Sequence, residues 1–181
     1  MSTQVPNTFV FRWRSLFGVA VALFLLYGAV NVLSAVVVPV SLHEGGAGAA
    51  PGGTLVLSHT ADAELLGRPL ADVDEADPRL AAFLVSFMDT MCAYMMAFGL
   101  LNLGMAWFAL RRGHRWALWT LAIADLSLFP YYAAIIEKYG DFGVGPGDIM
   151  AIVLFLIVTV AATALGWLGL RREVTRTAAS V

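Results

Sequence analysis

The sequence predicts an all-α integral membrane protein: a four-transmembrane-helix bundle, both termini inside, with one long, partly structured outer loop over residues 41–79. Three observations predict it. Four long apolar stretches, at residues 15–40, 80–110, 116–136 and 149–170, each hold the roughly 20 apolar residues needed to cross a hydrocarbon core of about 30 Å. Of the 181 residues, 60% are hydrophobic and only 13% charged, with a mean hydropathy of +0.79, outside the range of soluble domains. Eight of the eleven basic residues fall at one set of helix ends: Arg12, Arg14, Arg111, Arg112, Arg115, Arg171, Arg172 and Arg176. The positive-inside rule puts those ends, and both termini, in the cytoplasm.

The first crossing is too long for the apolar region of a cleaved signal and three more crossings follow, so it reads as an uncleaved signal-anchor. Outer loop 41–79 opens with His43-Glu44 and the run Gly45–Gly53, a flexible composition. Residues 54–58 are expected to be extended, and Ala61–Leu66 to form one or two helical turns ending at Gly67 and Pro69. Seven acids in this loop (Glu44, Asp62, Glu64, Asp72, Asp74, Glu75, Asp77) face Arg68 and Arg79 and read as a solvated face. They lack the glycine-punctuated spacing of a calcium loop.

Asp77-Pro78 is a helix start, with Asp as N-cap and Pro at the first helical position. From Pro78 to Leu110 the helix would run about 50 Å at 1.5 Å per residue, longer than the membrane is thick. The inner loop 111–115 is short enough to make the second and third crossings antiparallel neighbours, and 137–148 is the second outer loop. The chain 1–181 is expected to be one membrane domain. All five tryptophans (Trp13, Trp107, Trp116, Trp119, Trp167) lie near the inner face, where amphipathic rings favour the headgroups.

Several function classes are excluded. Cys92 is the only cysteine, so neither an internal disulfide nor a dithiol relay can form. His43, His59 and His114 all lie in loops, which rules out a transmembrane bis-histidine haem. The serines are scattered and give no support for nucleophilic catalysis, and the glycines form no phosphate-binding pattern. No cofactor or metal is expected. A net charge of −2 without a polybasic tail gives no footprint for nucleic acid.

The basic residues fix the inner surface, so helical rise converts sequence distance into depth. Asn102 lies nine residues before Arg111 and Asp125 ten after Arg115; both fall about 14–15 Å in, near mid-bilayer, on adjacent helices. A carboxylate there costs several kcal/mol unless paired, so Asp125 is expected to face the bundle with Asn102 as its partner. Pro130 removes the hydrogen bond to the Leu126 carbonyl and is expected to kink the third helix beside Asp125. Asn31, Tyr94 and Tyr132 are each 17 residues from their arginine, about 25 Å in, forming a second polar layer. Asp89 and Glu137 fall at about 33 Å, the outer interface. The candidate ligand-binding residues are therefore Asp125, Asn102, Tyr132, Asn31 and Tyr94, with Asp89 and Glu137 at the mouth.

On the fourth helix Thr159, Ala162, Gly166 and Gly169 form a small-residue stripe that permits close helix approach, within the bundle or against a membrane-protein partner or a second copy. In the second helix Met91-x-x-x-Met95, beside Cys92 and Met96, resembles the methionine element of copper permeases, which implies Cu(I) transport. The long outer loop ending in Asp77-Pro78-Arg79-Leu80 and the inner turn Arg111-Arg112-Gly113-His114-Arg115-Trp116 resemble those of small four-helix bacterial membrane proteins, a likeness that implies no activity.

The expected function is binding of a small hydrophobic or amphiphilic, lipid-like molecule in a polar-lined pocket open to the outer side. The alternatives are a non-catalytic accessory subunit of a larger membrane complex and, with less support, a membrane enzyme or Cu(I) transporter. A lone buried carboxyl lacks the companion base an enzyme would use, so a non-enzyme is favoured. The expected location is a cell membrane, multi-pass, in a bacterial inner membrane.

Overall fold

A computed structural model of the chain describes residues 11–43, 56, 58–142 and 145–179. Every regular element over them is helical. The glycine run 45–53 and most of the extended piece expected at 54–58 lie outside the described residues.

Helix α1, Leu16–Leu42, starts at Ser15, whose Oγ accepts from the Gly18 N–H at 3.0 Å and so satisfies one of the orphan donors of the first turn. Two short helices follow, α2 (His59–Leu66) and α3 (Leu70–Ala76). Ser58 caps α2 through the Ala61 N–H at 3.1 Å, and Gly67 ends it with φ +72°, a left-handed conformation suited to glycine. Helix α4, Pro78–Gly104, begins as the Asp77-Pro78 signal predicts: Asp77 Oδ1 accepts from the Arg79 and Leu80 N–H groups, each at 3.1 Å. It continues as a π turn, Met105–Ala109, and a 3-10 turn, Leu110–Arg112, and stops at Gly113 with φ +83°.

The third crossing is not one helix but two. Helix α5, Arg115–Leu126, is followed by α6, Phe129–Asp141, with a turn at Ser127 and Leu128 between them. Pro130, in the first turn of α6, cannot donate to the Leu126 carbonyl, so the kink expected there is a break. Helix α7 runs from Pro146 to Ala179.

Four segments are long and apolar enough to cross a membrane: Leu16–Leu42, Pro78–Arg112, Arg115–Asp141 and Ile152–Arg172. Their outward faces are apolar too. Leu33, Phe83, Leu101, Phe108, Ile123 and Ile157 are each more than half exposed, which suits a hydrocarbon surround and would be a liability in water.

Helix α1 lies between α4 and α7, and α5 packs on α7. The α1–α4 crossing is glycine against glycine. A Cβ on Gly99 would lie 2.9 Å from the Gly28 carbonyl oxygen, and one on Gly28 would lie 3.0 Å from that of Gly99. The small-residue stripe of α7 is covered within the chain. Thr159 and Ala162 are each 1% exposed, a Cβ on Gly166 would meet Leu118 at 2.7 Å, and one on Gly169 would meet the Phe17 backbone at 2.7 Å. A protein partner would have to meet another face.

Two apolar clusters occupy the two ends of the bundle. At the arginine-rich end Phe17, Val21 and Phe24 pack with Ala106, Leu110, Leu118, Leu121, Ala162 and Leu170. At the other end Leu42, Ala81 and Val85 pack beneath Leu70 and Val73 of α3. The acidic run 72–77 is thus largely helical. The i, i+3 pair Leu70 and Val73 buries one side of α3, while Asp72 and Glu75 stay exposed on the other. Between the expected polar layer and the outer mouth, the α1–α4 side of the bundle is thus filled by an apolar cluster.

Asp62 is also corrected. It is 5% exposed rather than solvated, and it accepts from the Tyr139 hydroxyl at 2.6 Å and from the Val56 N–H at 3.0 Å. With Ala61, Leu65 and Ile135 packed around Tyr139, this bond ties α2 to α6. The pair α2–α3 is therefore a cap anchored to α1 and α4 through α3 and to α6 through α2.

Gly99→Ala is expected to force α1 and α4 apart and cost about 1–3 kcal/mol, a typical overpacking penalty. Gly104→Ala, in the same helix with nothing within 4 Å of its Cβ position, should cost nothing. Denaturation midpoints in one detergent compare the two. Tyr139→Phe should release the cap, raising amide exchange over residues 59–76 about tenfold, the equivalent of roughly 1.4 kcal/mol for one charge-assisted bond, with the crossings unchanged.

Candidate functional site

The site is built where regular helix fails on both sides of one buried pair. Asn102 lies in the last turn of α4, three residues before the π turn, and Asp125 in the last turn of α5, two residues before the break. A π turn holds an extra residue, so it rotates the chain after it by roughly 100°, one residue's share of a 3.6-residue turn. Asn102 points into the bundle, whereas Trp107 and Phe108, just beyond and on other sides of the helix, point out.

Asn102 Nδ2 donates to Asp125 Oδ1 at 2.7 Å, with the two residues 3% and 0% exposed. No basic side chain is buried with them among the described residues. The other oxygens of the pair, Asn102 Oδ1 and Asp125 Oδ2, have no protein partner, and the same holds for Thr159 Oγ1, 1% exposed on α7, the helix that packs on α5. Three oxygen atoms on three helices are thus buried with unused lone pairs, each leaving a desolvation cost that a bound group would offset.

An aromatic layer lies next to the pair on the capped side. Tyr27, 3% exposed on α1, packs edge-on against Phe155 of α7 (centroids 5.3 Å apart) and Phe98 of α4 (6.4 Å). The Tyr27 and Tyr132 hydroxyls both lie within electrostatic range of the Asp125 carboxyl. Tyr132, in the first turn of α6 beyond the break, is half-buried and packs edge-on against Phe129 at 5.7 Å. Asp125, Asn102 and Tyr132 are therefore brought together, with Tyr27 joining them. Gly166 of α7 meets Leu118 of α5, and Thr159 and Asp125 each lie seven residues, two helical turns, from that contact on the same faces, which sets Thr159 at the level of Asp125.

The remaining predicted residues are not brought to that pair. Asn31 is half-buried one turn above Tyr27 and donates its amide to the Tyr27 carbonyl at 2.9 Å, along its own helix. Tyr94 is 66% exposed on the outer surface of α4, because it lies two positions from buried Cys92, on another side of the helix. Asp89 lies against His43 at 3.1 Å, both partly exposed, a surface pair joining the ends of α1 and α4. Glu137 is exposed near the end of α6.

The depth argument overlooked Tyr27 and Thr159 as site residues. Tyr27 is on the Tyr27, Asn31, Ser34 face of the first crossing, and Thr159 lies twelve residues before Arg171, about 18 Å in by the same conversion and within one turn of Asp125.

Alanine at Asn102, at Asp125 and at both is expected to give a coupling energy of about 1 kcal/mol between the two positions. Detergent-denaturation midpoints of the three variants measure it, and simple additivity would mean that the pair does not form. No family model, curated protein or solved structure matches the chain, so its chemistry is read from its own residues alone.

Proposed function

We propose that the chain is a multi-pass protein of a bacterial inner membrane, with both termini in the cytoplasm and the α2–α3 cap outside. The eight basic residues at one end support this orientation.

In that setting the bundle binds a small hydrophobic or amphiphilic, lipid-like molecule from the outer side, beneath the cap. Its polar group meets the layer of Tyr27, Asn31 and Tyr132, and the Asn102–Asp125 pair forms the floor. One observation carries the reading. A buried carboxyl–amide pair with unused oxygens lies beside a helix break and an aromatic layer, in a chain whose outward faces are otherwise apolar. Ionisable groups inside crossings mark ligand or ion sites, and a broken helix at that depth is where membrane binding sites are built.

Native mass spectrometry of protein gently extracted from its own membrane tests the reading. A discrete bound mass of a few hundred daltons, retained by the wild type and reduced at least tenfold in Asp125→Asn, is the expected result. A bare chain, or a bound protein in place of a small molecule, would overturn it.

A further inference from the structure

The amphiphile reading leaves the charge of Asp125 unanswered. Among the described residues Asp62, Asn102, Asp125 and Thr159 are the buried polar or charged ones. None is basic, and Asp62 is engaged at the cap by Tyr139. At the arginine-rich end of the crossings Arg111 lies over the Trp107 ring at 4.2 Å and Arg171 over Trp167 at 3.6 Å, and among the described residues no arginine is buried. Asp125 is held by one neutral amide, and a carboxyl group removed from water either keeps its proton or takes a positive partner.

The three buried atoms without a protein partner, at one level of α4, α5 and α7, are all oxygens: a carboxylate, an amide carbonyl and a hydroxyl. Hard cations take such ligands. One carboxylate balances a single positive charge, whereas a divalent ion would leave a net positive charge buried. The break after Leu126 is consistent with this, because Pro130 frees a backbone carbonyl within two residues of Asp125, and unwound carbonyls serve as cation ligands in membrane sites.

We propose that Asn102 Oδ1, Asp125 Oδ2 and Thr159 Oγ1 form a binding site for a small monovalent cation, with sodium as its probe. The site lies on the arginine-rich side of the Tyr27–Tyr132 layer. It stands on the charge and the oxygens of these side chains and does not depend on the amphiphile, so either reading can fail alone. A bound ion neutralises Asp125 and joins α4, α5 and α7 through one centre.

The experiment uses the full chain in detergent at fixed pH and ionic strength, with choline chloride replaced stepwise by sodium chloride. The expected result is a saturable rise in melting temperature of several degrees with sodium, as ligand binding to the folded state requires, and a much smaller rise with potassium. Thr159→Val nearly matches threonine in shape and leaves the Asn102–Asp125 bond intact. It should still fold and should need at least tenfold more sodium for the same shift. Asp125→Asn should lose the response altogether. Equal melting temperatures in choline and sodium, or an unchanged sodium response in Thr159→Val, would overturn the proposal, leaving a proton or a water to satisfy these oxygens.

Discussion

A carboxyl group inside an apolar bundle has no water to turn to, and much of this structure follows from how Asp125 is accommodated. Its bond to Asn102 joins α4 to α5 at a level where their backbones make little contact, since α5 packs chiefly on α7 and on the irregular end of α4. The side chains bridge what the backbones do not. The bond also divides the interior. On one side lies the Phe17, Val21 and Phe24 core, and on the other the aromatic layer of Tyr27 and Tyr132.

The helix irregularities belong to the same arrangement. Asn102, Ala106 and Leu110 recur at i, i+4 and i+8 from the end of α4 through the π turn, so one face carries the amide inward and then enters the apolar core. The break at Ser127 and Leu128 lets α6 take its own direction toward the cap, where Tyr139 meets Asp62. Close packing elsewhere makes room for both. Gly28 on Gly99 and the α7 stripe on α1 and α5 draw four helices together at close approach. Of the two uses the sequence allowed for the stripe, packing within the bundle is the one these contacts display.

What could be read from the sequence was whatever depends on period, length or charge. Crossings need about 20 apolar residues, Asp77-Pro78 can hardly be anything but a helix start, and Gly67 ends a helix because its backbone is left-handed. The Asn102–Asp125 bond was within reach because depth is nearly one-dimensional in a membrane, so two polar residues at one level on neighbouring helices have few other partners. Facing was harder. Tyr94 has the right depth and the wrong side of α4, and no count of residues from Arg111 distinguishes the two. Asp62 and Tyr139 are 77 residues apart in an acidic loop and a helix end, and the surplus of acids around Asp62 concealed the one that is buried. Helix α3 has only two apolar positions to signal it, Leu70 and Val73, and its helicity depends on the α1–α4 surface it covers.

Because facing is what sequence distance cannot supply, it is also what most directly tests the account. Cysteines introduced together at 102 and 125, with Cys92 replaced by alanine, can be joined by a short bifunctional thiol reagent in native membranes and the linkage read from peptide masses. The account predicts rapid linkage within one chain for this pair. It predicts none for a pair at 101 and 123, whose native side chains are 73% and 67% exposed on the outer surface. Linkage at 101 and 123 with none at 102 and 125 would place Asp125 outside the bundle and contradict the polar layer on which the proposed function rests.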